Sequence, residues 1–259
     1  MEKQVEMHEI DEFETYCHLW NIFGGGSGKG LDLLRKIVDS IHANNYSNPG
    51  NKLPFILITG QGKDLIAKAT VNSLNIEDVR VCKAQYFENG ISSYQFFNDS
   101  LTNTAHIIED LEQLKEAYES VLWRYLDQGF CNYYKFGNRG CDLILHCNGL
   151  IILTAKDIKL VSQPIIKAVS HIVELEPYSS EQLRLIAHQY LKFCGIEYQG
   201  EPVLQEIVGS APYGIRVVMK TLKICIVLMR ANLENCLTVE IVKKAKRLVV
   251  PSADDDIQF

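Results

Sequence analysis

The hydrophobic positions of this chain follow two rhythms that change near Pro177. Before it, short runs that are apolar throughout alternate with stretches of helical period. Strands are expected at Phe55 to Thr59, Val79 to Phe87, Ala105 to Glu109, Leu150 to Thr154 and Ser170 to Leu175. Between them, helices are expected at Leu31 to Asn44, Lys63 to Leu74 and Glu112 to Asp127. Such alternation predicts an α/β domain, a parallel sheet with helices on both faces. After Pro177 only the helical period remains, at Ser180 to Phe193, Pro202 to Val208, Gly214 to Arg230 and Thr238 to Leu248. This second region opens on a capping box, Ser179 with Gln182 three residues on, ahead of Leu183, Ile186, Ala187 and Tyr190. The expected division is a large α/β domain over 1–176, a small all-helical domain over 177–250 and an acidic tail over 251–259.

Composition adds limits. With 259 residues, 47% hydrophobic and 22% charged, the chain suffices for one large core and one small one. No apolar run approaches ~18 residues, and the first residues, MEKQVEMHEIDEFE, are acidic, so neither a membrane span nor a secretory signal is read and a cytoplasmic location is expected. Eight cysteines, at 17, 82, 131, 141, 147, 194, 225 and 236, form no C-x-x-C pair and read as reduced core thiols. The net charge of −6 argues against a generally basic, nucleic-acid-binding surface while leaving room for a local patch.

Candidate chemistry begins at Phe55 to Asn75, FILITGQGKDLIAKATVNSLN: an apolar strand, a glycine turn with a lysine, then a helix. In a working phosphate-binding loop, four residues separate the glycines so that backbone N–H groups wrap a phosphate, and a hydroxyl follows the lysine to hold Mg²⁺. Here Gln61 alone separates Gly60 from Gly62, and Asp64 follows Lys63 where the hydroxyl would be. A second strand, in AHIIEDLEQL, ends on Glu109 and Asp110. Adjacent carboxylates at such a point hold Mg²⁺ and polarise water in ATPases, in the order Asp then Glu; the order here is reversed.

Together with GLIILTAKDIKLVSQPIIKAVSHIVELEPYSSEQL, LKFCGIEYQGEPVLQEI and GIRVVMKTLK, these segments resemble the AAA+ Holliday-junction branch-migration motor family, RuvB, from Ile22 to about Pro251. The resemblance implies a five-stranded parallel sheet followed by a helical lid. It places Lys63 on the phosphate-loop lysine, flanked by Gly60, Gly62 and Asp64, with Glu109 and Asp110 on the Walker-B pair. Thr154 falls on the sensor-1 polar residue, and Arg216 on the lid arginine that reaches the nucleotide phosphates. Ala168 stands where the family carries an arginine that enters the neighbouring subunit's site, and Lys167 beside it lacks the planar fork. The chain stops at Phe259, about where the family's winged-helix DNA-binding domain begins. ATP or ADP with Mg²⁺ is the cofactor implied, and assembly through AAA+ interfaces with itself or a relative is the partnership implied.

Three further segments carry paired readings. FGGGSGKG, Phe23 to Gly30, reads as a flexible linker or as a phosphate seat at a helix N-terminus, the linker favoured. The hairpin with Phe130, Tyr133, Tyr134 and Phe136 lies where the family docks its partner RuvA, and its aromatics suit either an interface or packing on the sheet. Lys243, Lys244, Lys246 and Arg247 read as a solvated helix face or as DNA-phosphate contacts. No metal site is read. The leading expectation is a non-catalytic assembly, scaffold or regulatory subunit linked to DNA processing. The opposing ones are a reduced ATPase that still drives branch migration, and a nucleotide-binding regulator without turnover.

Overall fold

In a computed structural model of the chain, the described residues are 28–43, 53–76, 78–86, 104–128, 149–209 and 214–249. They fall into two compact units that divide between Glu176 and Pro177.

The first unit runs α1 (Lys29–Ala43), β1 (Phe55–Gly60), α2 (Lys63–Ser73), β2 (Asp78–Lys83), β3 (Thr104–Glu109), α3 (Glu116–Gln128), β4 (Leu150–Ala155), α4 (Gln163–Ala168) and β5 (His171–Leu175). The strands form one sheet in the order β2-β3-β4-β1-β5, every pair parallel. That order explains the sequence pattern. β3, β4 and nearly all of β1 are buried along their length and read as unbroken apolar runs, whereas β2, at an edge, is only partly covered. Phe55, Leu57, Ile108, Ile151 and Leu153 share a core with Leu122, Tyr125 and Leu126 of α3. Because the sheet is parallel, β1, β3 and β4 all end at one edge, which brings Gly60, Glu109 and Thr154 to the same side.

Two boundaries differ from expectation. β2 stops at Lys83 because the backbone turns into a 3₁₀ segment at Ala84–Tyr86, and Phe87 lies outside the described residues. The helix expected from Glu112 begins at Glu116: Asp110 is left-handed (φ 57°), a 3₁₀ turn covers Leu111–Gln113, and Leu114 is extended. A left-handed residue followed by an extended one interrupts the hydrogen-bond ladder that would have joined the two segments.

The second unit contains α5 (Ser180–Phe193), β6 (Glu197–Tyr198), α6 (Glu201–Val208), α7 (Ile215–Ala231), β7 (Cys236–Leu237) and α8 (Val239–Leu248). The capping box is formed as the sequence predicts, with Ser179 accepting from Gln182 N and the Gln182 side chain accepting from Ser179 N. The helical expectation holds for this unit, with one short addition, the parallel pairing of β6 and β7. Two-residue strands carry no readable period, which is why the sequence pattern misses them. Among the described residues, no helix is long and apolar enough to cross a membrane.

One core residue makes stability depend on pH. His106 is fully buried on β3 opposite Arg80 of β2, and its pKa is lowered from 6.5 to about 4, first by burial and then by the Arg80 charge, with Asp78 partly opposing. The unfolded chain therefore binds a proton in that window that the folded chain refuses, so stability is full above about pH 6.5 and falls as pH drops toward 4. Urea unfolding followed through this range is expected to show uptake of close to one proton by this residue near pH 5, a slope that His106→Leu removes.

Candidate functional site: the turn between β1 and α2

Only Gln61 and Gly62 separate the last residue of β1 from the first of α2. Both glycines have left-handed backbone, Gly60 at φ 97° and Gly62 at φ 79°, and Gly62 caps the helix. A Cβ on Gly60 would lie 2.4 Å from the Leu175 carbonyl oxygen of β5, so this position requires glycine for both conformation and space.

Lys63, the first residue of α2, turns inward, its side chain 7% exposed. Its Nζ donates to Asp64 Oδ1 at 2.8 Å and to Asp110 Oδ1 at 2.7 Å. Thr154 Oγ1 donates to Asp64 Oδ1 at 2.7 Å and accepts from Asp110 N at 3.3 Å. Lys63, Asp64, Thr154 and Asp110 thus close a ring of hydrogen bonds between the start of α2 and the ends of β3 and β4. Burial pulls the Lys63 ammonium toward neutrality, but attraction to Asp64 and hydrogen bonds to Asp110 and Asp64 outweigh it, raising its pKa above the ordinary 10.5. The stability this lysine adds is therefore present below about pH 10.5 and is lost as pH rises through the raised value.

The two acids at the end of β3 diverge. Asp110 takes Lys63, with Lys83 Nζ 3.9 Å from its other oxygen, whereas Glu109 is an ion-pair partner of Lys68 on α2 at 3.2 Å. The left-handed backbone at Asp110 accompanies this divergence. The reversal of acid lengths is readable in the sequence; the opposite engagement of the two side chains is not.

The remaining candidates are carried by other elements. Arg216 is exposed in the first turn of α7, in the second unit. Ala168 ends α4 and packs on the sheet core, while Lys167 is exposed. Gly30 is not linker: a Cβ there would lie 2.0 Å from the Glu174 carbonyl oxygen, so this glycine lets α1 approach β5. The start of the FGGGSGKG run, the aromatic hairpin with Tyr133, Tyr134 and Phe136, and the acidic tail lie outside the described residues. Cys82, Cys194 and Cys236 are half-buried and Cys225 is buried, its thiol pushed up to about 12 by burial. Among the described residues, no cluster of His, Cys, Asp and Glu is arranged to hold a metal.

No sequence-family profile matches the chain, and no curated protein matches it in sequence. Its structure does have clear counterparts. A Thermotoga maritima RuvB described as a Holliday junction branch migration motor superposes with a TM-score of 0.67 at 15% identity, over 86% of this chain and 69% of that one. Two point mutants of Thermotoga maritima RuvB superpose with TM-scores of 0.70 and 0.68, at 14% and 15% identity. They cover 86% and 84% of this chain, and 69% and 68% of theirs. The fold is similar to that of these RuvB structures. At this identity the likeness concerns the path of the chain, and the chemistry of the turn has to be read from its own residues.

Proposed function

We propose that this chain is a RuvB-like AAA+ subunit with a vestigial nucleotide site, acting as an assembly or regulatory component in DNA processing rather than as a motor. The observation that carries the proposal is the double engagement of Lys63 by Asp64 and Asp110. A phosphate-binding lysine needs its charge available to the ligand. Here two carboxylates lie within hydrogen-bonding distance of the ammonium, and a phosphate would have to displace both. The residues present do not fit a magnesium nucleotide on other counts as well. The turn is too short to wrap a phosphate in N–H groups, and the position after the lysine supplies an anion in place of a hydroxyl. The sensor-1 threonine is bonded to that same anion. Like charges facing each other at a few ångströms oppose binding, and the dipole at the start of α2 offsets this by only ~0.3–1 kcal/mol.

The RuvB fold supports assembly through AAA+ surfaces, with itself, a relative or a RuvA-like protein. The experiment is titration with a fluorescent ATP analogue and Mg²⁺, together with phosphate release with and without four-way junction DNA. No saturable binding and no turnover are expected. Tight binding that Lys63→Ala and Arg216→Ala both weaken would sink the proposal, and turnover stimulated by junction DNA would restore the motor reading.

A further inference from the structure

Two donors at the turn converge on one oxygen atom, which a simple ion pair does not require. Lys63 Nζ and Thr154 Oγ1 both donate to Asp64 Oδ1, at 2.8 and 2.7 Å. The donors come from different elements, Lys63 from the start of α2 and Thr154 from β4, and both are buried, the threonine completely. Asp64 is the member nearest the surface, its side chain 16% exposed against 7% for Lys63. A buried ammonium and a buried hydroxyl aimed at one point form a seat for an oxyanion, because each donor costs free energy when it is left without an acceptor away from water. The chain fills this seat itself. Asp64 lies in the first turn of α2, where a negative charge also gains from the helix dipole.

We infer that Asp64 is an internal ligand, an autoinhibitory carboxylate that permanently occupies a seat whose matching class of free ligand is a small monovalent carboxylate. The ligand class follows from the neighbours. Asp110 Oδ1 also lies 2.7 Å from Lys63 Nζ, so the seat already borders one negative charge, and a dianion such as phosphate meets more repulsion there than a singly charged group does. One carboxylate oxygen has lone pairs enough for both donors. The consequence concerns regulation: a ligand that is part of the chain cannot report on one that comes and goes. The start of α2, the residue after β3 and the end of β4 therefore stay tied at any nucleotide concentration, which is what an assembly component rather than a motor requires. This inference rests on the vestigial site proposed above. A plain ion pair with no seat behind it behaves differently, because Lys63 would then turn wholly to Asp110 once Asp64 was removed, and nothing from solution would take the place of the lost carboxylate.

The test is chemical rescue in the full chain, read by urea unfolding near neutral pH with sodium formate replacing sodium chloride at constant ionic strength. Emptying the seat with Asp64→Gly should lower the folded-to-unfolded ratio at least about tenfold. About 100 mM formate should then raise that ratio about tenfold, as one site with a Kd of about 10 mM requires, and the gain should saturate. Asp64→Ala keeps the helix propensity that glycine lacks and should respond to formate in the same direction. Wild type and Asp64→Asn should change by less than about twofold, since the seat is full in both. Inorganic phosphate should rescue the emptied variants more weakly than formate. Formate acting equally on wild type and the emptied variants overturns the inference, as does an Asp64→Gly chain as stable as wild type, or emptied variants that stay unfolded in saturating formate. Stronger rescue by phosphate would assign the seat to a phosphate ligand and overturn the carboxylate reading. The two proposals fail separately: tight nucleotide binding by the wild-type chain would sink the vestigial site, whereas a failed rescue in a chain that binds no nucleotide would sink the internal ligand alone.

Discussion

Gly60→Ala is expected to destabilise the first unit by about 3–5 kcal/mol. Two independent costs meet there. The left-handed backbone, at φ 97°, strains any residue with a Cβ, and the added carbon would lie 2.4 Å from the Leu175 carbonyl oxygen on the neighbouring strand. A carbonyl that belongs to a paired strand cannot swing aside as a flexible side chain would, so β5 or the turn itself must move. Gly195→Ala separates the two costs. Gly195 is also left-handed, at φ 64°, but a Cβ there meets nothing within 4 Å. It should lose only about 1 kcal/mol. Urea unfolding of the two variants measures both. Equal losses would mean that backbone strain alone matters and that the close approach of β1 to β5 relaxes freely.

Lys63→Met is expected to cost about 3 kcal/mol, near the lower end for a broken buried ion pair because the partner carboxylates retain some exposure, 16% for Asp64 and 19% for Asp110. Methionine fills similar space but leaves two carboxylates that both lean on the ammonium facing one another across the lost charge. The Thr154 hydroxyl still serves Asp64, and Lys83 stands 3.9 Å from Asp110, so the ring is weakened rather than dispersed. Adding Asp110→Asn to Lys63→Met should recover part of the loss, because one of the stranded charges is then gone. Chemical denaturation of the single and double variants reads both steps. A lysine kept available for phosphate would behave oppositely: its removal would leave stability unchanged or improve it. This measurement therefore bears on the proposed function without using any nucleotide.

Much of the fold is legible along the chain because its signals are local. The runs in β1, β3 and β4 are apolar without interruption since both faces of a central parallel strand are covered, and such runs survive any error in placing their ends. The Ser179 capping box is complete within four residues. The late start of α3 depends on the left-handed Asp110, and no pattern of apolar positions announces a single backbone angle. Gly30 reads as part of a glycine-rich linker until β5 is seen packed against it. α7 belongs to the opposite case. Its four cations, Arg216, Lys220, Lys223 and Arg230, are plain in the sequence, yet only the burial of the facing side chains shows that they lie off the core face.

The site divides in the same way. The sequence by itself determined that a glycine turn with Lys63 joins a strand to a helix, that Asp64 replaces a hydroxyl, and that Glu109 and Asp110 end another strand in reversed order. Those are facts of identity and spacing, held within a dozen residues each. Only the tertiary structure decided what these groups do to one another. Asp110 is 47 residues from Lys63, and Thr154 is 90 from Asp64. They meet because parallel strands β1, β3 and β4 all finish at one edge of the sheet. Hydrogen bonds and ion pairs act over about 3 Å, whatever the distance along the chain, so the engagement of Lys63 had to wait for the fold.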